Sequence, residues 1–214
     1  MAAMTEVALV TGGARRIGRA IVEKLADAGY AVAIHHGDSS EEAETLAAKL
    51  EASGAKTCLL SADLVDPAAV ATLIPAAEKA LGPVTLLVNN AASFVADDVR
   101  SLDIATWNRQ FSINLRAPSQ LVGIMAERLP ADAKGAVVNI VDQRVWKLTP
   151  QYYSYTLTKA ALLTATRTMA QALAPRIRVN AVGPGPTFPN SYDGADRLEQ
   201  EAAGTLLGRR IAPE

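Results

Sequence analysis

The stretch VALVTGGARRIGRAIVEKLADAGY, from Val7 to Tyr30, decides the fold. Its first four residues are apolar, its second half carries apolar positions at helical spacing, and Gly12, Gly13 and Gly18 lie in the turn between them. This predicts a buried strand, a glycine-rich turn and a helix over Ile17–Ala28. Missing side chains let such a backbone approach a pyrophosphate, which the N–H groups and the positive end of the helix then stabilise. A tight turn with close helix packing would use the same glycines. Arg15 and Arg16 favour the first reading, because two cations at a helix start oppose its dipole unless an anion is bound.

Working outward, apolar runs at Val7–Val10, Ala31–His35, Thr57–Leu60, Leu86–Val88, Val137–Val141 and Ile177–Val182 read as strands. Between them, Ile17–Ala28, Glu41–Ala52, Pro67–Leu81, Ile104–Leu129 and Tyr155–Ala174 read as helices. Ser39 with Glu42 resembles a capping box, Asp66 before Pro67 offers an N-cap with proline at N1, and Gly29 stands where a helix C-terminus wants a left-handed residue. Strands this apolar, separated by helices, predict one doubly wound parallel α/β sheet with ligands at the carboxyl ends of its strands. A single domain over residues 1–214 is expected, with no repeat or linker.

Composition narrows the partners. Lysine plus arginine number 21 against 22 aspartates and glutamates, which argues against nucleic acid or a membrane surface and leaves a small-molecule substrate. Cys58 is the only cysteine, so no internal disulfide, CxxC pair or other metal site is expected. The N-terminus lacks a leader pattern, and a cytoplasmic protein is the expectation.

A reaction centre is expected at VVNIVDQRVWKLTPQYYSYTLTK, Val137–Lys159. Of its three tyrosines only Tyr155 has a lysine four residues on, so Lys159 shares its helix face. A nearby ammonium favours the phenolate and would lower the Tyr155 pKa toward working pH, making it a proton donor. An exposed tyrosine beside a solvated lysine is the plainer alternative.

Together with VNNAAS (Val88–Ser93), Asn114 and RVNAVGPG (Arg178–Gly185), these motifs closely resemble the short-chain dehydrogenase/reductase family, in family order and over nearly the whole chain. The resemblance implies a Rossmann fold and an NAD(P) cofactor. Gly12, Arg15, Arg16, Ile17, Gly18, Asn90 and Ala91 would then meet the cofactor, as would Pro184, Gly185 and Thr187 on the nicotinamide side. Asp63 matches an adenine-contacting aspartate, with Leu64 beside it; a loop-capping acid is the alternative. Lys159 would hold the nicotinamide ribose, and Asn114 would anchor a water relay.

NADP(H) is the expected cofactor. In place of the usual acid ending strand two the sequence reads AIHHGDSS, with His35 and His36 in the acid's neighbourhood, while Arg15 and Ser39 offer a cation and a hydroxyl to a 2′-phosphate. Asp38, just beyond, points the other way, since an acid repels phosphate. Arg16 stands where the family pattern has another glycine, a departure associated with its pteridine-reductase-like branch.

That branch is singled out again by Asp142. Most of the family places a carbonyl-binding serine thirteen residues before the tyrosine, and no serine occurs between Ser119 and Ser154. Reducing a C=N bond requires a proton on nitrogen, which a carboxyl group hydrogen-bonded to tyrosine can relay; simple pairing with Arg144 or Lys147 is the alternative. Phe94 matches an aromatic that stacks a pterin against the nicotinamide, although Ala92 stands where that branch has a pterin-contacting serine. Arg16, Phe94, Asp142 and Tyr155 are the expected substrate contacts. The leading reading is an NADPH-dependent, pteridine-reductase-like enzyme; a carbonyl reductase acting on, for example, a 3-oxoacyl thioester and a non-catalytic NADP-binding module are its rivals.

After GPGPTFP (Gly183–Pro189) the family has a substrate lid, here about residues 186–204, and then one more helix and strand. The sequence ends at LLGRRIAPE, so that last pair is expected to be missing. The resemblance further implies a homo-oligomer, tetramer or dimer, assembled through the helices after strands four and five.

Overall fold

In the computed structural model, residues 6–189 and 194–213 are described. Six parallel strands, β1 (Val7–Val10), β2 (Ala31–His36), β3 (Thr57–Ser61), β4 (Val84–Asn89), β5 (Gly135–Ile140) and β6 (Ile177–Val182), form a sheet of order β3-β2-β1-β4-β5-β6. The order reverses between β1 and β4, where such a sheet opens a crevice beyond its strand ends. Side-chain alternation serves both faces. Val7, Leu9, Leu87 and Val137 pack with α3 (Pro67–Leu81) and α5 (Ala117–Arg128), whereas Val10, Val32 and Ile34 pack with α1 (Arg16–Asp27) and α2 (Ser40–Ala52). This is the doubly wound sheet expected.

Local signals explain most helix ends. Asp66 accepts from the Ala68 N–H at 2.8 Å with Pro67 at the first helical position, and Gly29 has φ +90° after α1. The capping box does not form. The Ser39 side chain precedes α2 but makes no capping bond, and Glu42 turns to Arg15 at 3.2 Å.

The helix expected over Ile104–Leu129 is α4 (Ile104–Phe111), a π-helical turn over Ser112–Arg116, and α5. The extra residue in the turn accompanies Asn114, which is fully buried and bonded in both directions to the Ser93 backbone and to the Thr158 hydroxyl. Those tethers come from distant segments and leave no periodic trace in the helix sequence.

α6 (Tyr153–Leu173) starts two residues earlier than expected, and its cap comes from elsewhere in the chain. The Asp97 carboxylate accepts from the Ser154 N–H at 3.1 Å, while Tyr152 stands before the helix in left-handed backbone, φ +57°. α7 (Gly194–Ala203) crosses the expected lid; Asn190–Asp193 of that lid lie outside the described residues. Among the described residues no helix is long and apolar enough to cross a membrane.

Candidate active site

The glycine turn closes on its own backbone. Gly12 has φ +62°, and a Cβ on Gly18 would lie 2.0 Å from the Gly12 carbonyl oxygen, so neither position accepts a side chain without moving the loop. Arg16 also has positive φ, +54°, which supplies a physical reason for a glycine there in other chains and marks strain stored at the mouth of a cleft. β4 braces the turn: the Asn90 amide donates to the Thr11 and Gly12 carbonyls at 2.9 and 3.0 Å, and the Thr11 hydroxyl accepts from the Asn90 and Ala91 N–H groups.

A cleft of about 550 Å³ opens at the carboxyl ends of β1, β4 and β5. Gly12, Arg15, Arg16, Ile17, Gly18, Ser39, Asn90 and Ala91 line it on one side, and Pro184, Gly185 and Thr187 line it beyond β6. Phe94, Asp142, Tyr155 and Lys159 complete it. The first turn of α1 carries no acid, so an anionic group would meet Arg16 and the helix N-terminus directly and would take Arg15 from Glu42, 3.2 Å away on α2. The residues present therefore fit a pyrophosphate-bearing cofactor. A groove of about 900 Å³ on the outer side of α1 is larger but shares only Arg16 and Phe188 with this cleft and holds none of Asp142, Tyr155 and Lys159.

Four expected contacts lie off the cleft lining. His35 is not open to a cofactor: its Nδ1 accepts from the Gly12 N–H at 3.1 Å, which makes its Nε2 the donor to the Ala62 carbonyl at 3.1 Å. It is a buried neutral pillar under the glycine turn, its pKa lowered to about 4 chiefly by burial. Asp63 accepts from the Val65 N–H at 2.9 Å, as a loop-capping acid does, and Leu64 is buried in the core; neither lines the cleft. His36 is buried against the Gly37 carbonyl at 3.0 Å and also lies off the lining.

At the reaction centre the Tyr155 hydroxyl donates to Asp142 Oδ2 at 2.9 Å. The other carboxylate oxygen accepts from the Arg144 N–H at 2.8 Å and lies 3.7 Å from its guanidinium, so Asp142 makes both the tyrosine bond and the arginine pairing. Lys159 is 2% exposed; its Nζ lies 5.7 Å from the centre of the Tyr155 ring and donates to the Ile140 carbonyl at 2.7 Å. The expected lowering of the Tyr155 pKa is thereby corrected. Burial raises it well above its ordinary value, and the charge and hydrogen bond of Asp142 add to the effect against weaker help from Arg144 and Arg16. Burial also brings Lys159 down to about 8, with Asp142 opposing. The Asn114 side chain gives both its amide protons, to the Ser93 carbonyl and the Thr158 hydroxyl, and accepts from the Ser93 N–H, and so fixes the loop that carries Phe94.

Phe94 stacks on Tyr152 with centroids 4.2 Å apart and planes 11° from parallel, and meets Tyr155 edge-on at 4.6 Å. Its stacking partner, and the cleft residues Arg144 and Glu201, were not singled out from the sequence as site residues. The strained Tyr152 backbone and the α7 contact that bring them here depend on tertiary structure. Chemically, the arrangement is a protonated phenol on a carboxylate, beside a buried amine and an aromatic wall, able to hand a proton to an atom in the cleft.

Residues 6–195 match the family model for short chain dehydrogenase. The chain is similar in structure to the FolM alternative dihydrofolate reductase 1 of Brucella canis, solved with NADP: TM-score 0.94, 49% identity, covering 98% of this chain and 83% of that one. It is 34% identical over 197 residues to a short-chain type dehydrogenase/reductase of Picea abies, covering 87% of this chain and 72% of the relative. To the 3-oxoacyl-[acyl-carrier-protein] reductase FabG of Staphylococcus aureus it is 30% identical over 200 residues, covering 92% and 81%. With the glycine turn, the Tyr155–Lys159 pair and the sheet order already in place, the chain belongs to the short-chain dehydrogenase family.

Proposed function

We propose that this protein is an NADPH-dependent reductase of the pteridine-reductase-like branch, adding hydride to the carbon of a C=N bond in a dihydropterin or similar flat heterocycle. The observation that carries the reading is the Tyr155–Asp142 hydrogen bond, which puts an acid where a carbonyl reductase needs a neutral hydroxyl. The Brucella protein, named an alternative dihydrofolate reductase and solved with NADP, supports both the substrate class and the cofactor. The bound cofactor supplies the hydride. Tyr155, kept neutral by its raised pKa, releases its proton to the ring nitrogen, and Asp142, which accepts from its hydroxyl, holds the phenol in place until a proton taken up from solvent restores it. Lys159 keeps a cation beneath the site, Phe94 offers its face to the ring, and Arg15 and Ser39 receive the 2′-phosphate. Asn114 acts as a positioning residue. The protein works in the cytoplasm as a single-domain subunit of a homo-oligomer; exposed Val99, Leu102 and Ile104 beside α4 supply apolar surface for assembly, and light scattering on the purified protein tests it.

The deciding experiment follows NADPH oxidation with a dihydropterin and with a 3-oxoacyl thioester, and repeats the active case with Asp142→Ser and Tyr155→Phe. Turnover of the pterin alone, lost in both variants, is expected. Turnover of the thioester alone overturns the reading in favour of a carbonyl reductase, and NADPH binding without either reaction leaves a binding module.

A further inference from the structure

Arg144 has a place that the proposed proton path does not use. It is 8% exposed, lines the cleft, and has its Cζ 4.9 Å from the Tyr152 ring centre and 5.5 Å from that of Phe94. With those centres only 4.2 Å apart, the guanidinium lies beside the stack instead of on the outer face of either ring. A ring laid on the Phe94 face away from Tyr152 would lie on the other side of Phe94 from the guanidinium carbon, so the group that meets Arg144 would be a substituent projecting from that ring. One nitrogen, Nε, is buried with no hydrogen-bond partner among the described residues, an expensive condition for a cationic group.

The charge of Arg144 is answered from two directions. Asp142 stands 3.7 Å away, but its second oxygen is engaged by Tyr155. The closer partner is Glu201, at 3.0 Å, and it comes from α7 in the segment that covers the cleft. That segment is also tied by Lys147 to the Gly204 carbonyl and by Arg16 to the Phe188 carbonyl.

We infer that Arg144 is a substrate-specificity residue that takes a carboxylate carried by the substrate, and that Glu201 holds that place while the substrate is absent. The inference rests on the proposed stacking of a heterocycle on Phe94. Exchange of one carboxylate for another conserves charge around a buried guanidinium, whereas a neutral substituent displacing Glu201 would leave it undercompensated. A phosphate dianion would add a second charge facing Asp142. Arginine's planar fork suits a carboxylate in two-point contact, including through Nε.

The test is equilibrium binding to the full chain saturated with NADP+, using pterin-6-carboxylate, neutral 6-hydroxymethylpterin, and pteroylglutamate, whose carboxylates lie on a tail. The readout is the ratio of neutral to carboxylate dissociation constants in wild type, Arg144→Gln and Glu201→Gln, with NADPH binding checked in each. A wild-type preference of about tenfold is expected, lost in Arg144→Gln and enlarged in Glu201→Gln. Arg144→Lys, which keeps the charge without the fork, gives an intermediate ratio and substitutes if Arg144→Gln fails to fold. A preference for pterin-6-carboxylate supports a ring-borne acid, and one confined to pteroylglutamate a tail-borne acid. Ratios unchanged across the variants, or moved the same way by both, overturn the inference. Absence of any pterin binding overturns it together with the proposed function. Binding that follows these ratios without NADPH oxidation by the dihydro forms overturns the function and leaves the carboxylate site standing.

Discussion

The Tyr155 hydroxyl and Asp142 Oδ2 are joined at 2.9 Å between the loop after β5 and the first turn of α6, and this bond adds to burial in holding the tyrosine proton that the proposed reaction uses. Asp142 is one cause of the raised Tyr155 pKa, second to burial. In Asp142→Asn the charge disappears while the shape is kept, so the Tyr155 pKa falls relative to wild type. An alkaline phenolate titration, with Tyr155→Phe as blank, reads the change. The rate of reduction falls by about 10²–10⁴ if Asp142 helps deliver the proton; an unchanged rate removes it from the chemistry.

Lys159 carries the pH signature. With its pKa lowered to about 8, the ammonium is present below that pH and lost above it. The value of kcat/KM for NADPH, which reports the free enzyme, should fall with a slope of about one above pH 8. A profile flat through that region would show that the amine's charge is not needed.

His35 predicts an acid limb in stability. The unfolded histidine takes a proton near pH 6.5, whereas the folded ring resists until about 4. Between those values the unfolded chain holds the extra proton, so stability is complete above about 6.5 and declines as pH falls toward 4, by on the order of 3 kcal/mol. Denaturant melts of wild type and His35→Gln across this window measure it; equal slopes in the two proteins would assign the acid limb to other groups.

Gly18→Ala tests the turn. Its Cβ would stand 2.0 Å from the Gly12 carbonyl oxygen and 2.6 Å from the Asn90 amide nitrogen, and backbone has to move. A loss of about 1–3 kcal/mol in stability is expected, with a larger loss in NADPH binding because the displaced groups are those that line the cleft. Fluorescence titration of NADPH beside a thermal melt separates the two effects.

Arg15 tests the cofactor's phosphate. It is half exposed and, among the described residues, paired with Glu42 at 3.2 Å, so it can turn to an incoming anion. Arg15→Ala should weaken NADPH about tenfold more than NADH in direct titration. Equal weakening would place the 2′-phosphate elsewhere.

What the sequence determined is whatever depends on local pattern. Apolar runs separated by amphipathic ones specified β1 to β6 and the helices between, since strand and helix periodicity are properties of neighbouring residues. Gly12 and Gly18 marked the turn because only glycine lets its backbone close so tightly, and four-residue spacing put Tyr155 and Lys159 on one helix. Tertiary structure decided how side chains far apart in sequence share their partners. His35 looked like a cofactor contact from its place at the end of β2, yet the register of β2 against β1 and β3 puts its two nitrogens on Gly12 and Ala62. Tyr155 was expected to be made more acidic by Lys159, but Lys159 donates to Ile140 while burial and Asp142 raise the phenol's pKa. Arg144 gained its role only when α7 brought Glu201 beside it. Hydrogen bonding and desolvation depend on which groups meet in space, and those meetings are fixed by packing between segments that no local pattern connects.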